Sequence, residues 1–185
     1  MNRAVKVSIA SCFIVALTYI LMREADRVRT CYSPAPALTN ELCELGQEAL
    51  TTGDVPVGAV LLLDDSIIGR GANTVHRDAN PAGHAEVNAV QDAMRVLGQD
   101  RFNRLDKDRL LLLSTFEPCG MCTGMMLEYG ISRVAYIEPK DLWHHLRQDL
   151  RWMRFLLLRQ RSHPFGLQDS LFRLHPSYDP ERMDH

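Results

Sequence analysis

Four residues of this chain combine type and spacing in a way that could do chemistry: His84 and Glu86 in ANPAGHAEVNAV, and Cys119 and Cys122 in FEPCGMC. Cysteines three apart face the same way on a helix. Pro118 suits a first-turn position, and a helix N-terminus favours thiolate over thiol. With the imidazole of His84, they make the nitrogen and sulfur set that zinc prefers. Three protein ligands leave a tetrahedral zinc one position open for water, the arrangement of a catalytic site, whereas a structural site would close with a fourth ligand, for which Cys43 and His76 are the candidates. Residues two apart point to different sides of a regular helix, so His84 and Glu86 converge only if His84 occupies the irregular first turn. Glu86 would then reach a water whose pKa zinc lowers to about 7, and carry its proton.

The elements that must position these residues can be read from periodicity. Leu38, Leu42, Leu45 and Ala49 recur at helical spacing behind a cap at Thr39 or Asn40, with Gly53 placed to end the helix. VPVGAVLLL, DDS and IIGRGAN read as strand, turn and strand. A second helix is expected from about His84 to Leu97, stopped by Gly98, followed by a polar loop, GQDRFNRLDKD. LLLLST at 110–115 and RVAYI at 133–137 read as buried strands flanking a third helix from Cys119 to Tyr129, which Gly130 ends. Alternating strands and helices imply an α/β domain with parallel pairing in part of the sheet and helices on both faces. Residues 141–161 carry leucines at helical spacing, and the proline-bearing end offers only short pieces.

Bulk composition narrows the class. A chain of 185 residues suits one domain, and a net charge of −2 gives no overall attraction to nucleic acid. Five cysteines at irregular spacing do not make a disulfide framework. Cys43, among helix formers, reads as a small buried apolar side chain. Val7 to Met22 is an uncharged run of sixteen residues, about 24 Å as a helix, which predicts membrane association through this segment. The alternatives are a cleaved signal, or a cytoplasmic chain that begins at Met22. The layout is then residues 1–30 as hydrophobic segment, 31–37 as linker, 38–161 as zinc-site domain and 162–185 as tail.

HAEVNAV and PCGMC, 27 residues apart between Val90 and Pro118, match the two zinc motifs of the cytidine and deoxycytidylate deaminase superfamily, and the chain resembles that superfamily over roughly residues 38–138. DVPVGAV, GRGAN, NPAGHAE and EPCGMC are most similar to bacterial tRNA adenosine deaminases and guanine deaminases. The resemblance implies a three-layer α/β/α sandwich with a mixed central sheet, zinc held by His84, Cys119 and Cys122, Glu86 as proton shuttle, and Asn73 as a hydrogen-bonding residue for substrate. It implies hydrolytic loss of ammonia from a nucleobase or nucleoside, with tRNA adenosine as the alternative substrate and a catalytically idle nucleotide-binding relative as the alternative from another class. It also implies a homo-oligomer. Asn80, Ala82 and Gly83 stand where those relatives usually have Asp, Thr and Ala, and nothing after Ile137 aligns with them. In that last region Arg147, Arg151, Arg154 and Arg159 interleave with Trp143, Trp152 and Phe155, either as the solvated face of an amphipathic helix or as a nucleic-acid surface.

Overall fold

The computed structural model describes residues 14–15, 17–22, 32–160 and 166–176. The chain divides into two units, 1–145 and 146–185, and the sheet and the candidate site belong to the first. From Pro36 the elements run α1 (Pro36–Thr51), β1 (Gly58–Leu63), β2 (Ser66–Ala72), α2 (Ala85–Leu97), α3 (Gln99–Asn103), a 3-10 turn (Lys107–Arg109), β3 (Leu110–Phe116), α4 (Gly120–Glu128), β4 (Val134–Glu138), α5 (Leu142–Leu158) and α6 (Leu167–Phe172).

The sheet has the order β2-β1-β3-β4, antiparallel across its first two junctions and parallel between β3 and β4. This is the mixed sheet of the expected three-layer class. Why β1 and β3 are continuous apolar runs is plain from their alternation. Val60, Leu62, Leu111 and Leu113 pack with Leu42 and Leu45 of α1, while Leu61, Leu110 and Leu112 pack on the other face with Val90 and Ala93 of α2 and with Cys122 and Met126 of α4. Both faces are covered, so Ala59 to Leu62 and Leu110 to Leu113 are all buried, with Leu63 half-buried at the strand end, and each fully buried leucine contributes roughly 1.5–3 kcal/mol.

One contact decides how closely α2 can lie on β2. A Cβ on Gly71 would stand 2.1 Å from the Ala85 carbonyl oxygen and 2.4 Å from Ala89 N, and one on Gly69 would stand 2.2 Å from the Ala89 carbonyl oxygen. The glycines of GRGAN thus let the helix backbone touch the strand, and that approach brings the head of α2 to the sheet.

Several expectations are corrected. α1 begins at Pro36, not behind Thr39 or Asn40, because proline is pre-set for the first helical position, and Ala35 caps it through its backbone alone. The polar loop after Gly98 is largely helical, anchored by Phe102, which is fully buried. β4 is mostly exposed, not buried, since it ends the sheet, with β3 as its hydrogen-bonded neighbour among the described residues. Cys43 is exposed on α1, near Gln47. Among the described residues no helix is long and apolar enough to cross a membrane, which overturns the expected membrane attachment through Val7–Met22. The described helical part of that run lies within residues 14–22, about 14 Å of rise against a ~30 Å hydrocarbon core, and the rest of the run falls outside the described residues, as do Cys12 and Cys31.

Candidate functional site

Two helices begin at one spot. His84 is the N-cap of α2, in extended conformation, and Cys119 is the N-cap of α4. The irregular first turn required for His84 and Glu86 to converge is therefore present. His84 Nδ1 lies 3.6 Å from Cys119 Sγ and 3.4 Å from Cys122 Sγ, and the two sulfurs are 3.6 Å apart. Donors bound to one tetrahedral zinc at ~2.3 Å for sulfur and ~2.0–2.1 Å for nitrogen would be ~3.8 Å apart for the sulfur pair and ~3.6 Å for each sulfur and nitrogen. The triangle fits zinc in both donor chemistry and size.

Among the described residues no fourth protein ligand is found. The group able to hold a metal among the described residues is His84, Cys119 and Cys122, and neither alternative joins it. Cys43 is exposed on α1, and His76 Nδ1 lies 3.1 Å from the Thr52 carbonyl oxygen. The set leaves a position open.

Glu86 is 3% exposed, and burial raises its carboxyl above the usual carboxylate range, against opposing hydrogen bonds from its own backbone N–H and from Cys122. The two thiols share a hydrogen bond. That bond, aided by the charge of His84 and by the N–H groups of Cys122 and Met121 and opposed by burial, brings Cys119 down to about 4. The same bond, then burial, then the negative charges of Glu86 and Cys119, push Cys122 up. Both helix N-termini add partial positive charge where a metal and its thiolates would sit.

Asn73 follows β2 directly and is 7% exposed, with its N–H donating to the Val57 carbonyl at 3.0 Å. Within the described residues its side-chain amide has no hydrogen-bond partner, yet no buried side-chain N or O atom there lacks one. The amide must therefore open onto accessible space, as a group waiting for a ligand would. What holds it there was not legible beforehand. Asn88 Nδ2 donates to the Ala72 carbonyl at 2.8 Å and to Thr74 Oγ1 at 3.1 Å, tying both chain neighbours of Asn73 to α2. A polar residue between Val87 and Ala89, one turn after His84, was the available signal. Asp54 pins the following loop by accepting from the N–H groups of His76 (2.5 Å) and Arg77 (3.1 Å) and from the Thr52 hydroxyl (2.8 Å).

Two of the departures also find a local account. Asn80 Oδ1 accepts from Ala82 N at 3.0 Å, the turn bond an aspartate would make. A Cβ on Gly83 would meet Thr74 Oγ1 at 2.7 Å, so the smaller residue relieves a crowded crossing.

Residues 33–138 match the family model of the cytidine and deoxycytidylate deaminase zinc-binding region. The chain is 32% identical over 94 residues to tRNA-specific adenosine deaminase 2 of Xenopus tropicalis, covering 50% of this chain and 55% of that protein. It is 37% identical over 84 residues to the tRNA-specific adenosine deaminase of Buchnera aphidicola, covering 45% of this chain and 49% of that one. The chain thus spans about half the length of these relatives. Among solved structures, guanine deaminase from Bacillus subtilis is similar with a TM-score of 0.56 and 26% identity, over 76% of this chain and 94% of that one. The family model covers more than half of the chain and contains all of His84, Glu86, Cys119 and Cys122, so the protein belongs to the cytidine and deoxycytidylate deaminase zinc-binding family.

Proposed function

We propose that this protein is a zinc-dependent hydrolase that replaces an exocyclic amine of a nucleobase or nucleoside with a carbonyl and releases ammonia. The observation that carries the reading is the three-donor triangle with the raised, buried carboxyl of Glu86 against it. His84, Cys119 and Cys122 hold the metal. Bound there, zinc supplies Lewis acidity and lowers the pKa of a water ligand to about 7. Glu86, as carboxylate, takes one proton of the attacking water and delivers it to the ring nitrogen next to the reacting carbon. It then takes the second proton from the new hydroxyl on that carbon and gives it to the amine, which departs as ammonia as the carbonyl forms. Its raised pKa matches those transfers, because an ordinary carboxylate is a poor acid near neutral pH. The amide of Asn73 holds the ring by hydrogen bonds and keeps the amine-bearing carbon over the metal.

A free base or nucleoside is the first substrate reading, supported by the similarity to a guanine deaminase that extends over three quarters of the chain. The second is adenosine in tRNA, favoured by the names of the sequence relatives. The catalytic unit is taken as residues 38–161, working as a homo-oligomer, which light scattering of the purified chain tests.

The deciding experiment is ammonia release by the zinc-loaded full chain on cytidine, deoxycytidylate, adenosine, guanine, guanosine and an anticodon stem-loop. Turnover of a free base or nucleoside supports the first reading, and inosine in the stem-loop alone supports the second. No ammonia from any of the six, with zinc bound, contradicts both.

A further inference from the structure

The three metal donors are not equally supported. Cys122 is fully buried in the core cluster, whereas His84 and Cys119 are half-buried N-caps, of α2 and α4, and Cys119 stands at the end of the connector from β3 to α4. We propose that Glu117 is the positioning residue for Cys119, and that it does so by clamping the metal-ligand loop to the root of α5.

The last rung of the parallel β3–β4 ladder pairs Phe116 with Glu138. One further backbone bond follows, from Glu117 N to the Glu138 carbonyl at 2.9 Å. Pro118 has no N–H, so the backbone cannot carry the pairing onward. The side chain takes over: Glu117 Oε2 accepts the N–H of Lys140 at 2.8 Å, and His145 Nε2 approaches the same oxygen at 3.4 Å. The carboxylate therefore extends the ladder beyond the end of the strands and joins the β3–α4 connector to the β4–α5 connector and to the first turn of α5. Lys140 is itself buried at this junction, its ammonium 5.4 Å from the centre of the Phe116 ring. The clamp sits two residues before Cys119, close enough that little backbone freedom is left between them.

The inference rests on the metal reading of the site, and its test needs no substrate. Two substitutions separate reach from charge. Glu117→Gln keeps the length and an acceptor oxygen for Lys140 N–H, whereas Glu117→Asp keeps the charge and is one methylene short. Zinc dissociation from the full chain is followed by competition with a colorimetric chelator, and the sulfur-to-metal charge-transfer band is recorded with cobalt in place of zinc. Glu117→Asp and Glu117→Ala are expected to speed zinc loss by about 10–100-fold and weaken the band, while Glu117→Gln stays within about threefold of wild type. Circular dichroism of each metal-free variant shows that it is folded, and the Asp and Gln pair carries the test if the alanine variant is not. Equal zinc retention in all variants, or loss in Gln with retention in Asp, overturns the clamp while leaving the metal site standing. A wild-type chain that takes up no zinc overturns both.

Discussion

The segment matched by the family model and the segment after it differ sharply in how their residues are employed. Within residues 33–138, the polar side chains of the site and of the loops that lead to it are buried or half-buried and have named partners: Glu86 with Cys122, Asn88 with Ala72 and Thr74, Asp54 with His76, Arg77 and Thr52. In α5 no residue is buried, and Trp152 and Phe155 stack on each other, ring centres 5.6 Å apart, with 62% and 56% of their surface exposed. Where chemistry is set, geometry is over-determined and substitution is costly. Where side chains remain exposed, sequence can vary at little expense to the fold, and such surface is free to adapt to a partner or substrate.

That contrast can be broken from its strongest point. Cys122→Ser should abolish stoichiometric zinc binding, read by metal analysis after dialysis, because a buried hydroxyl is a poor replacement for a thiolate donor. Full zinc retention would mean that the triangle is not the metal site. Next in size is Glu86→Ala, which should retain one zinc per chain and lower kcat by about 10²–10⁴-fold. In the wild type, kcat/KM should fall on acidification through a pKa above the usual 4.5 of a glutamate, since burial raises the Glu86 carboxyl and only the ionised form can accept a proton. An acid limb at or below 4.5 would remove Glu86 from that role. Gly71→Ala tests the approach of α2 to β2 and should destabilise the fold by ~1–3 kcal/mol in urea denaturation, because its Cβ would press on the backbone of Ala85 and Ala89. The smallest effect belongs to α5: Trp152→Ala should change stability by less than ~0.5 kcal/mol, and a larger loss would show that the exposed pair is structural.

Much of this was legible in the sequence where two independent constraints coincided. The residue types and spacing at positions 84, 86, 119 and 122 demanded a metal, and the two-residue step from His84 to Glu86 demanded a first-turn position, which the N-cap conformation of His84 supplies. The continuous apolar runs gave β1 and β3 with both faces covered. The rest depended on distance relations that periodicity does not encode. IIGRGAN reads as the second strand of a hairpin, but that pattern does not tell that Gly69 and Gly71 serve a backbone contact with α2, a helix that begins only at Ala85. RVAYI looks buried by composition, but its place at the end of the sheet exposes it. Cys43 lies among helix formers, which does not tell its face, and it falls on the outer side of α1. Glu117 was visible inside EPCGMC, but its partners, Lys140 and His145, lie more than twenty residues on.

X-ray absorption at the zinc edge of the loaded full chain tests the central claim most directly, that a His, Cys, Cys set holds the metal with one position left for water. Two sulfur neighbours at ~2.3 Å and two nitrogen or oxygen neighbours at ~2.0–2.1 Å, one zinc per chain, are the expected shell. A third sulfur, or a shell with none, would contradict it.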